Sequence, residues 1–357
     1  MVKPIKLLSI MLCFLLIPFL VGCSSLFGPK EYSDQQFLMD TLINIEAYGQ
    51  NEKQLKAAVD KAYQEMNKIA LLTDRFAKPG TAAYEQSEVV KINNAAGKKP
   101  VQVSEDVYEM IEMSLKYERF SGGAFDITIG PLMDIWGFGK KEKQHVPPAS
   151  LIQEKLSLVD SDQVFLNKDN RTVFLAKPKM SIDLGAIAKG YAAEKAAEVL
   201  KQAGIKQALI NAGGNVVVIG KKDQDNLWRI GIEDPRDTQN VVGILSLEDE
   251  ATVTSGDYQR NFVENGVLYH HILSPKTGKP ARGTWSVTVI AKSSALADVL
   301  STTLFVLGPE EGLKFVEKLD GVEAFYVGAD KKIRISSGLK NKVTVQAGKK
   351  YSYDQGR

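Results

Sequence analysis

A carboxylate and a hydroxyl lie four positions apart at Asp298 and Thr302, within an otherwise apolar segment. If that segment is helical, the two side chains lie one above the other on the same face. An acid among apolar residues costs free energy unless it is paired or binds a cation, and carboxylate and hydroxyl oxygens suit a hard cation such as Mg²⁺. The alternative is an acid in the first helical turn that faces water, and the sequence leaves both open.

A second group of polar residues lies in the segment Ser181-Ile-Asp-Leu-Gly-Ala-Ile-Ala-Lys-Gly-Tyr191. Asp183 ends a short apolar run, a turn of small residues follows, and a helix is predicted from Tyr191. This junction combines free backbone N–H groups, a carboxylate and Lys189, and such junctions can hold phosphates. A helix start with a solvated lysine is the alternative. Because Asn211-Ala-Gly-Gly-Asn215 forms a second backbone-rich turn, the two segments together suggest a nucleotide-like ligand.

The segment Ser121-Gly-Gly-Ala-Phe-Asp126 allows two interpretations. The structural one is a glycine pair that ends a helix before a strand begins. In the functional one, the backbone of Ala124 and Phe125 approaches a ligand, and Asp126 accepts hydrogen bonds from that ligand.

Two of the three histidines are adjacent, at His270 and His271. Adjacent residues of a strand point to opposite faces, so at most one of them faces a cleft, and a zinc site built from both is unfavourable. A single general base is consistent with this arrangement. A histidine with a purely structural role is the alternative.

The elements that must position these residues show helical and strand periodicities in an irregular order. Helices are predicted at 52–72, 104–120, 151–156, 191–200, 294–307 and 310–319. Strands are predicted at 36–47, 163–166, 172–175, 207–211, 216–220, 228–233, 241–247, 251–254, 267–272, 286–291, 324–327 and 332–335, with a polar loop at 75–94. Because helices and strands do not alternate regularly, the expected fold class is α+β, with mixed or antiparallel sheets flanked by helices. The sequence contains neither a Walker motif nor a Gly-x-Gly-x-x-Gly fingerprint, which disfavours the two commonest nucleotide-binding folds.

The N-terminal residues have the pattern of an export signal. Lys3 and Lys6 precede an apolar segment at 7–20, which is shorter than the roughly 20 residues of a membrane span. Leu20-Val-Gly-Cys23 resembles a lipobox, which predicts lipidation of Cys23. We therefore expect a lipoprotein signal peptide at 1–22, a lipidated tether at 23–35, a folded domain at 36–337 and a solvated tail at 338–357. The expected location is extracytoplasmic, anchored to the cell membrane.

The composition excludes some classes of function. Cys13 leaves with the signal peptide and Cys23 carries lipid, so the mature domain has no thiol for a disulfide, a nucleophile or a zinc site. The formal net charge is +2 with acids and bases interspersed, which argues against a nucleic-acid partner.

Taken together, these motifs resemble the ApbE family of FAD:protein FMN transferases over residues from about 36 to about 335. The resemblance is carried by the lipobox and by several segments in the family's order. These segments are Ser121–Asp126 with Gly130-Pro-Leu132, Asp183–Tyr191, Asn211–Asn215, Thr254-Ser-Gly-Asp257, His271-Ile272 with Pro275-Lys-Thr-Gly278, and Ala297-Asp298 through Leu307-Gly308.

The resemblance implies a fold and a set of site residues. It implies an ApbE-like fold, a catalytic histidine at His271, and Mg²⁺ bound by the backbone carbonyl of Ala186 and the side chains of Asp298 and Thr302. It implies that FAD contacts Met39, Phe76, Ala124, Phe125, Asp126, Asp183, Lys189 and Ile272.

The implied activity is Mg²⁺-dependent transfer of the FMN moiety of FAD to a Thr or Ser hydroxyl of an exported acceptor protein, with release of AMP. Two alternatives remain open at this stage. In the first, water replaces the acceptor hydroxyl, which makes the protein an FAD pyrophosphatase that gives FMN and AMP. The second is a flavin-binding lipoprotein without catalytic turnover. The sequence does not name the acceptor.

Overall fold

The computed structural model describes residues 28–138 and 144–353. The predicted signal peptide, the predicted lipidation site Cys23 and residues 354–357 lie outside these ranges. Within the described residues, no helix combines the length and the apolar character that a membrane span requires.

The described residues form helices and strands in a mixed order. The helices are α1 (Glu52–Thr73), α2 (Ala82–Gln86), α3 (Glu88–Asn94), α4 (Glu105–Phe120), α5 (Gly130–Trp136), α6 (Ala149–Leu156), α7 (Ala188–Gln202) and α8 (Ser294–Val316). The first strands are β1 (Lys30–Leu38), β2 (Thr41–Gly49), β3 (Val101–Gln102), β4 (Val164–Asn167), β5 (Thr172–Leu175), β6 (Gln207–Ala212), β7 (Asn215–Ile219), β8 (Trp228–Asp234) and β9 (Asp237–Leu247). The later strands are β10 (Ala251–Gly256), β11 (Asn261–Glu264), β12 (Val267–His270), β13 (Thr284–Ala291), β14 (Glu323–Gly328), β15 (Lys332–Ile335), β16 (Val343–Val345) and β17 (Ser352–Tyr353).

Nine of these strands form one main sheet in the order β1-β2-β6-β7-β10-β13-β14-β15-β17. Its neighbours pair antiparallel except β15 and β17, which are parallel. Three smaller sheets accompany it, with the orders β16-β9-β8, β3-β5-β4 and β11-β12. The predicted α+β class is confirmed, because the irregular order of elements produces mixed and mostly antiparallel sheets rather than βαβ units.

The main sheet is covered on both faces. On the face that we call the helical face, Ile43, Ile45 and Ala47 of β2 are fully buried and belong to one hydrophobic core with the apolar stripe of α1. Along a strand these residues alternate with residues of the opposite face, which we call the outer face. There Val218 and Trp228 belong to a second core with residues of β9, so the β8–β9 sheet covers part of the outer face.

Several predicted elements have different bounds in the structure. The strand predicted at 36–47 is a hairpin of β1 and β2, and its turn residues Met39 and Asp40 have φ values of 54° and 58°. The predicted polar loop at 75–94 contains α2 and α3, whose first turns are capped by Thr81 and Ser87. The helices predicted at 294–307 and 310–319 form one element with a kink at Gly308, which has φ 78°.

The strand predicted at 267–272 was expected to continue the same sheet as its neighbours, and this expectation was wrong. Val267–His270 pairs with β11 in a separate two-stranded ribbon. A short apolar strand carries no sequence signal for the sheet that it joins, so this assignment needed the tertiary structure.

The expectation of a solvated tail at 338–357 was also wrong for the described part of that segment. Strand β16 pairs with β9, and β17 pairs with β15. Tyr351 is 6% exposed and its hydroxyl donates a hydrogen bond to Asp234, while Lys350 forms an ion pair with the same carboxylate at 2.8 Å. The lysines suggested a solvated end, but the apolar residues between them cover the edge of a core.

We predict that Tyr351→Ala lowers the free energy of unfolding by about 2–4 kcal/mol, because it removes a buried ring and the hydrogen bond to Asp234. Urea denaturation measures this change. Lys349→Ala is the matched control, because Lys349 is exposed two residues away, and we expect a change within about 0.5 kcal/mol. Equal stability of the two variants would contradict the packing role of the C-terminal segment.

Candidate active site

One cleft of about 1090 Å³ is bordered by the main sheet, α7, α8, the β1–β2 turn and the segment after β12. It brings together all the residues that the sequence analysis selected as ligand, metal or catalytic residues. These are Met39, Phe76, Ala124, Phe125, Asp126, Asp183, Ala186, Lys189, His271, Ile272, Asp298 and Thr302. Their convergence makes this cleft the candidate active site, while the role of each residue stays a prediction.

The carboxylate of Asp298 lies at the junction of α7 and α8 and is only 4% exposed. Its Oδ2 accepts a hydrogen bond from the backbone N–H of Gly190 at 2.8 Å. Burial raises the pKa of Asp298, while the charge of Lys189, the Gly190 N–H and the side chain of Asn215 act in the opposite direction. Burial outweighs these contacts, and a bound cation would offset the cost of burying the charged carboxylate.

The close approach of the two helices depends on Gly190. A Cβ at this position would lie 2.3 Å from the carbonyl oxygen of Ser294 and 2.6 Å from Cβ of Asp298. Only a residue without a side chain lets α7 come near enough for its backbone to reach the carboxylate. The start of α8 is fixed in turn by Ser293, which caps the helix and donates to Glu194 at 2.6 Å.

Hard oxygen donors dominate this end of the cleft. The hydroxyl of Thr302 follows Asp298 by one helical turn, as predicted, and Ala186 belongs to the turn before α7. In the described ranges, no group of three or more His, Cys, Asp or Glu side chains could hold a metal ion. The donor set of one carboxylate, one hydroxyl and one carbonyl fits a cation such as Mg²⁺, which takes its remaining oxygens from water or a phosphate ligand.

Asp183 is held in place by Arg75, a residue that the sequence analysis did not select. The Arg75 guanidinium, 6% exposed, contacts Asp183 and Asp134 at 3.1 Å each. It also lies 4.7 Å from the centre of the Phe76 ring, so one buried cation orients both an acid and an aromatic side chain of the cleft. The only sequence feature that could have pointed to Arg75 is its position directly before Phe76, which the resemblance had selected.

Asp126 organises the turn that follows α4. Its Oδ1 accepts hydrogen bonds from both the backbone N–H and the hydroxyl of Thr128, each at 2.7 Å. Burial raises the pKa of Asp126 to about 6. Ala124 and Phe125 are 4% and 3% exposed. The glycine pair ends α4 as the structural interpretation expected, but the expected strand was wrong, because a 3₁₀ turn at Ile127–Ile129 and then α5 follow. The cleft position keeps the functional interpretation open.

The two histidines differ as their adjacency predicted. His270 is 1% exposed, its Nε2 lies 2.8 Å from the carbonyl oxygen of Ala281, and its ring stands edge-on to Phe305. His271 lines the cleft, and its Nδ1 lies 3.3 Å from the carbonyl oxygen of Arg260. Because a carbonyl only accepts, Nδ1 carries the proton and Nε2 keeps its lone pair.

His271 is neutral at physiological pH. Burial holds its pKa well below the usual range, and the nearby cations Arg260 and Lys189 act in the same direction. A neutral imidazole with a free Nε2 can accept a proton from a hydroxyl in the cleft.

Most of a polar wall, formed by the outer face of the main sheet and by the neighbouring β8 strand, was missed by the sequence analysis, whose motifs included only Asn211 and Thr254 of it. It lines the same cleft and consists of Asn211, Thr252, Thr254 and Thr288 of the main sheet, Arg229 and Glu233 of β8 in the smaller sheet, and Tyr258 and Gln259 after β10. The glycine turn that we selected from the sequence joins this wall to the β1–β2 turn. At Gly213, with φ 61°, a Cβ would lie 2.3 Å from Oγ1 of Thr41.

Comparison with known proteins gives one consistent result. The model of the ApbE family matches residues 39–326. A protein of Klebsiella pneumoniae named FAD:protein FMN transferase is 35% identical over 310 residues, which is 86% of this chain and 92% of the relative. A Treponema pallidum protein of the same name is 34% identical over 339 residues, with 91% and 92% covered.

Solved structures agree with these relatives. A crystal structure of the ApbE protein from Thermotoga maritima superposes with a TM-score of 0.80 at 34% identity, covering 88% of this chain and 99% of that chain. The flavin transferase ApbE from Vibrio cholerae superposes with a TM-score of 0.76 at 27% identity, with 88% and 99% covered.

The raised pKa of Asp126 predicts a pH-dependent cost to stability. The carboxyl changes from an ordinary value of 3.8 to about 6 on folding, so the folded state binds the proton more tightly. Folding therefore becomes less favourable as the pH rises from about 4 to 6. Asp126→Asn keeps the acceptor oxygen but does not titrate. Relative to the wild type, it should gain about 2 kcal/mol of unfolding free energy across this window. If the difference in unfolding free energy between Asp126→Asn and the wild type does not change with pH, the raised pKa of this carboxyl is contradicted.

Proposed function

The chain belongs to the ApbE family, and we propose that it transfers the FMN moiety of FAD to a Thr or Ser hydroxyl of an exported acceptor protein, with Mg²⁺, and releases AMP. That the protein is an FAD:protein FMN transferase follows from relatives that share about a third of its residues over most of its length. The proposed details, which are the hydroxyl acceptor, the use of Mg²⁺ and the release of AMP, are supported mainly by one observation. A neutral His271 and the buried carboxylate of Asp298 share a cleft with cationic side chains.

We assign the binding of FAD to the residues that the family resemblance selected. Ala124, Phe125 and Asp126 form one wall, and Met39 and Phe76 supply apolar contacts. Lys189 contributes positive charge for the diphosphate. Asp183, held by Arg75, and Ile272 complete the set.

Mg²⁺ would be held by the Ala186 carbonyl and the side chains of Asp298 and Thr302. When bound there, it supplies positive charge to the phosphate oxygens of FAD. The burial of the Asp298 carboxylate, which raises its pKa, is the property of this chain that supports the assignment.

In the proposed reaction, the acceptor hydroxyl loses its proton to Nε2 of His271. Its oxygen forms a bond with the FMN phosphorus as the bond to the AMP oxygen breaks. AMP then leaves with the electron pair of that bond. Lys189 and the fixed backbone donors of the cleft lower the cost of charge at the phosphates, and the rigid position of His271 lowers the cost of orientation.

We also propose that the protein is a lipoprotein anchored to the cell membrane through Cys23. The order of basic residues, apolar segment and lipobox supports this. The predicted boundary between a tether at 23–35 and a domain from 36 was wrong, because β1 begins at Lys30 and pairs with β2. The tether would therefore be shorter than expected and would hold the domain near the membrane and near membrane-bound acceptors.

Incubation of the purified protein with FAD, Mg²⁺ and a candidate exported acceptor tests this function. We expect flavin fluorescence on the acceptor band after denaturing electrophoresis, and AMP in equal amount. Free FMN with no labelled acceptor would favour the pyrophosphatase instead. Intact FAD after long incubation would favour a binding protein without turnover.

We predict that His271→Ala lowers the rate of transfer by about 10²–10⁴-fold, the usual contribution of a general base. The Kd for FAD should change little, and fluorescence quenching measures it. His145→Ala, at the exposed third histidine, should keep full activity. If His271→Ala transfers flavin at the wild-type rate, His271 is not the base.

Replacing either proposed Mg²⁺ ligand should raise the Mg²⁺ concentration needed for half-maximal rate. We expect an increase of about tenfold or more for Asp298→Asn and for Thr302→Val. Asp298→Asn removes the negative charge and one carboxylate oxygen, and Thr302→Val removes the hydroxyl, while the size of each side chain is kept. Thr302→Ser retains the hydroxyl and is the matched control. An unchanged Mg²⁺ dependence in Asp298→Asn would contradict the metal assignment.

A further inference from the structure

The β1–β2 hairpin presents two large apolar side chains to solvent at the mouth of the cleft. Phe37 is 73% exposed and Leu42 is 52% exposed, and they are direct partners across the hairpin. The residues between them, from Leu38 to Thr41, line the cleft itself. Exposed apolar residues at such a position are typical of contact surfaces.

These two side chains lie on the outer face of the main sheet. Paired residues of antiparallel strands point to the same face, and so do residues two positions apart on one strand. Asn44 pairs with Asn211, Asn211 pairs with Val216, and Val216 pairs with Thr252. Since Leu42 is two residues from Asn44, the exposed pair belongs to the face that carries the polar wall of the cleft.

A strip of the cleft wall leads from the exposed pair to the catalytic end, with Asn211 exposed along it and with Val216 and Thr252, 9% and 3% exposed, on its floor. It passes over β2, β6, β7 and β10 and reaches Thr254, whose carbonyl oxygen accepts from Gln259 at 3.3 Å. The next residue, Arg260, contacts His271 through its carbonyl oxygen. Four strand spacings of about 4.8 Å make the strip roughly 19 Å long, which matches about six residues of extended chain.

We propose that this strip, which extends from Phe37 and Leu42 across the outer face of the sheet to Thr254, binds the polypeptide segment of the acceptor protein that carries the hydroxyl. The proposal rests on the function proposed above. The acceptor must bring a hydroxyl to His271, and the strip leads from solvent to that residue within the same cleft. An apolar side chain of the segment, about six residues from the hydroxyl, would pack on Phe37 and Leu42.

A membrane surface is the competing occupant, since the hairpin is near the predicted lipid anchor. The charges favour the acceptor. Exposed Asp40 lies at the hairpin turn and Glu46 lies on the same outer face, and acids disfavour contact with anionic lipid.

The double variant Phe37→Ser/Leu42→Ser tests the proposal. The assay uses the soluble domain of an exported acceptor that the wild type labels. We expect the KM for this acceptor to rise about tenfold, with kcat and the Kd for FAD nearly unchanged, because the variant removes contacts far from the reacting atoms. The double variant Phe37→Leu/Leu42→Phe keeps two apolar side chains at these positions, so its KM for the acceptor should be close to that of the wild type. Phe165→Ser is the matched control, because Phe165 is 54% exposed and belongs to the separate β3-β5-β4 sheet.

The remaining outcomes separate this inference from the function on which it rests. An unchanged KM in the double variant, with acceptor labelling intact, would overturn the docking strip and leave the transferase function standing. A loss of binding to vesicles of anionic phospholipid without any change in KM would assign the pair to the membrane and also overturn it. Failure of the wild type to label any acceptor would contradict the proposed transferase function itself.

Discussion

The close contact between α7 and α8 is the constraint on which the site depends. A glycine at position 190 lets the backbone of α7 come within hydrogen-bond distance of the Asp298 carboxylate, 2.8 Å from Oδ2. The same contact buries that carboxylate and raises its pKa. Because α7 begins directly after the turn that contains Asp183 and Ala186, one helix contact sets the positions of this proposed phosphate-binding turn and of the proposed metal ligands together.

The charges of the cleft are arranged so that a dinucleotide and a cation would complete them. Burial, together with Arg260 and Lys189, lowers the pKa of His271 and keeps the imidazole neutral, while burial raises the pKa of Asp298. Arg75 is already committed to Asp183 and Asp134, so it acts as a fixed part of the wall. A base that remains neutral beside cations is suited to accept a proton while those cations face phosphate oxygens.

The residues that form local motifs could be predicted from the sequence, whereas those that meet through the sheet could not. The spacing of Asp298 and Thr302 and the adjacency of His270 and His271 are properties of one helix and one strand, so their geometry followed from helical and strand periodicity. The polar wall joins residues from β6, β10 and β13 of the main sheet with residues from β8 of a smaller sheet, and only strand order and the packing of the two sheets bring them together. The C-terminal strands were missed for the same reason, since their partners β9 and β15 are distant in sequence.

The two faces of the β1–β2 hairpin have different roles: one face stabilises the fold, and the other is free to contact the acceptor. This division explains why the hairpin can expose apolar side chains without a cost in stability. Its helical-face residues Ile43 and Ile45 are fully buried and secure it to the core. Its outer-face residues contribute little to that core, so apolar side chains there gain nothing from folding. The turn at Gly213 packs against Thr41 and therefore holds the tip of the hairpin at the cleft. A rigid tip with apolar side chains beside a reaction cleft lowers the entropy cost of binding an extended segment, because the protein's side of the contact is already ordered.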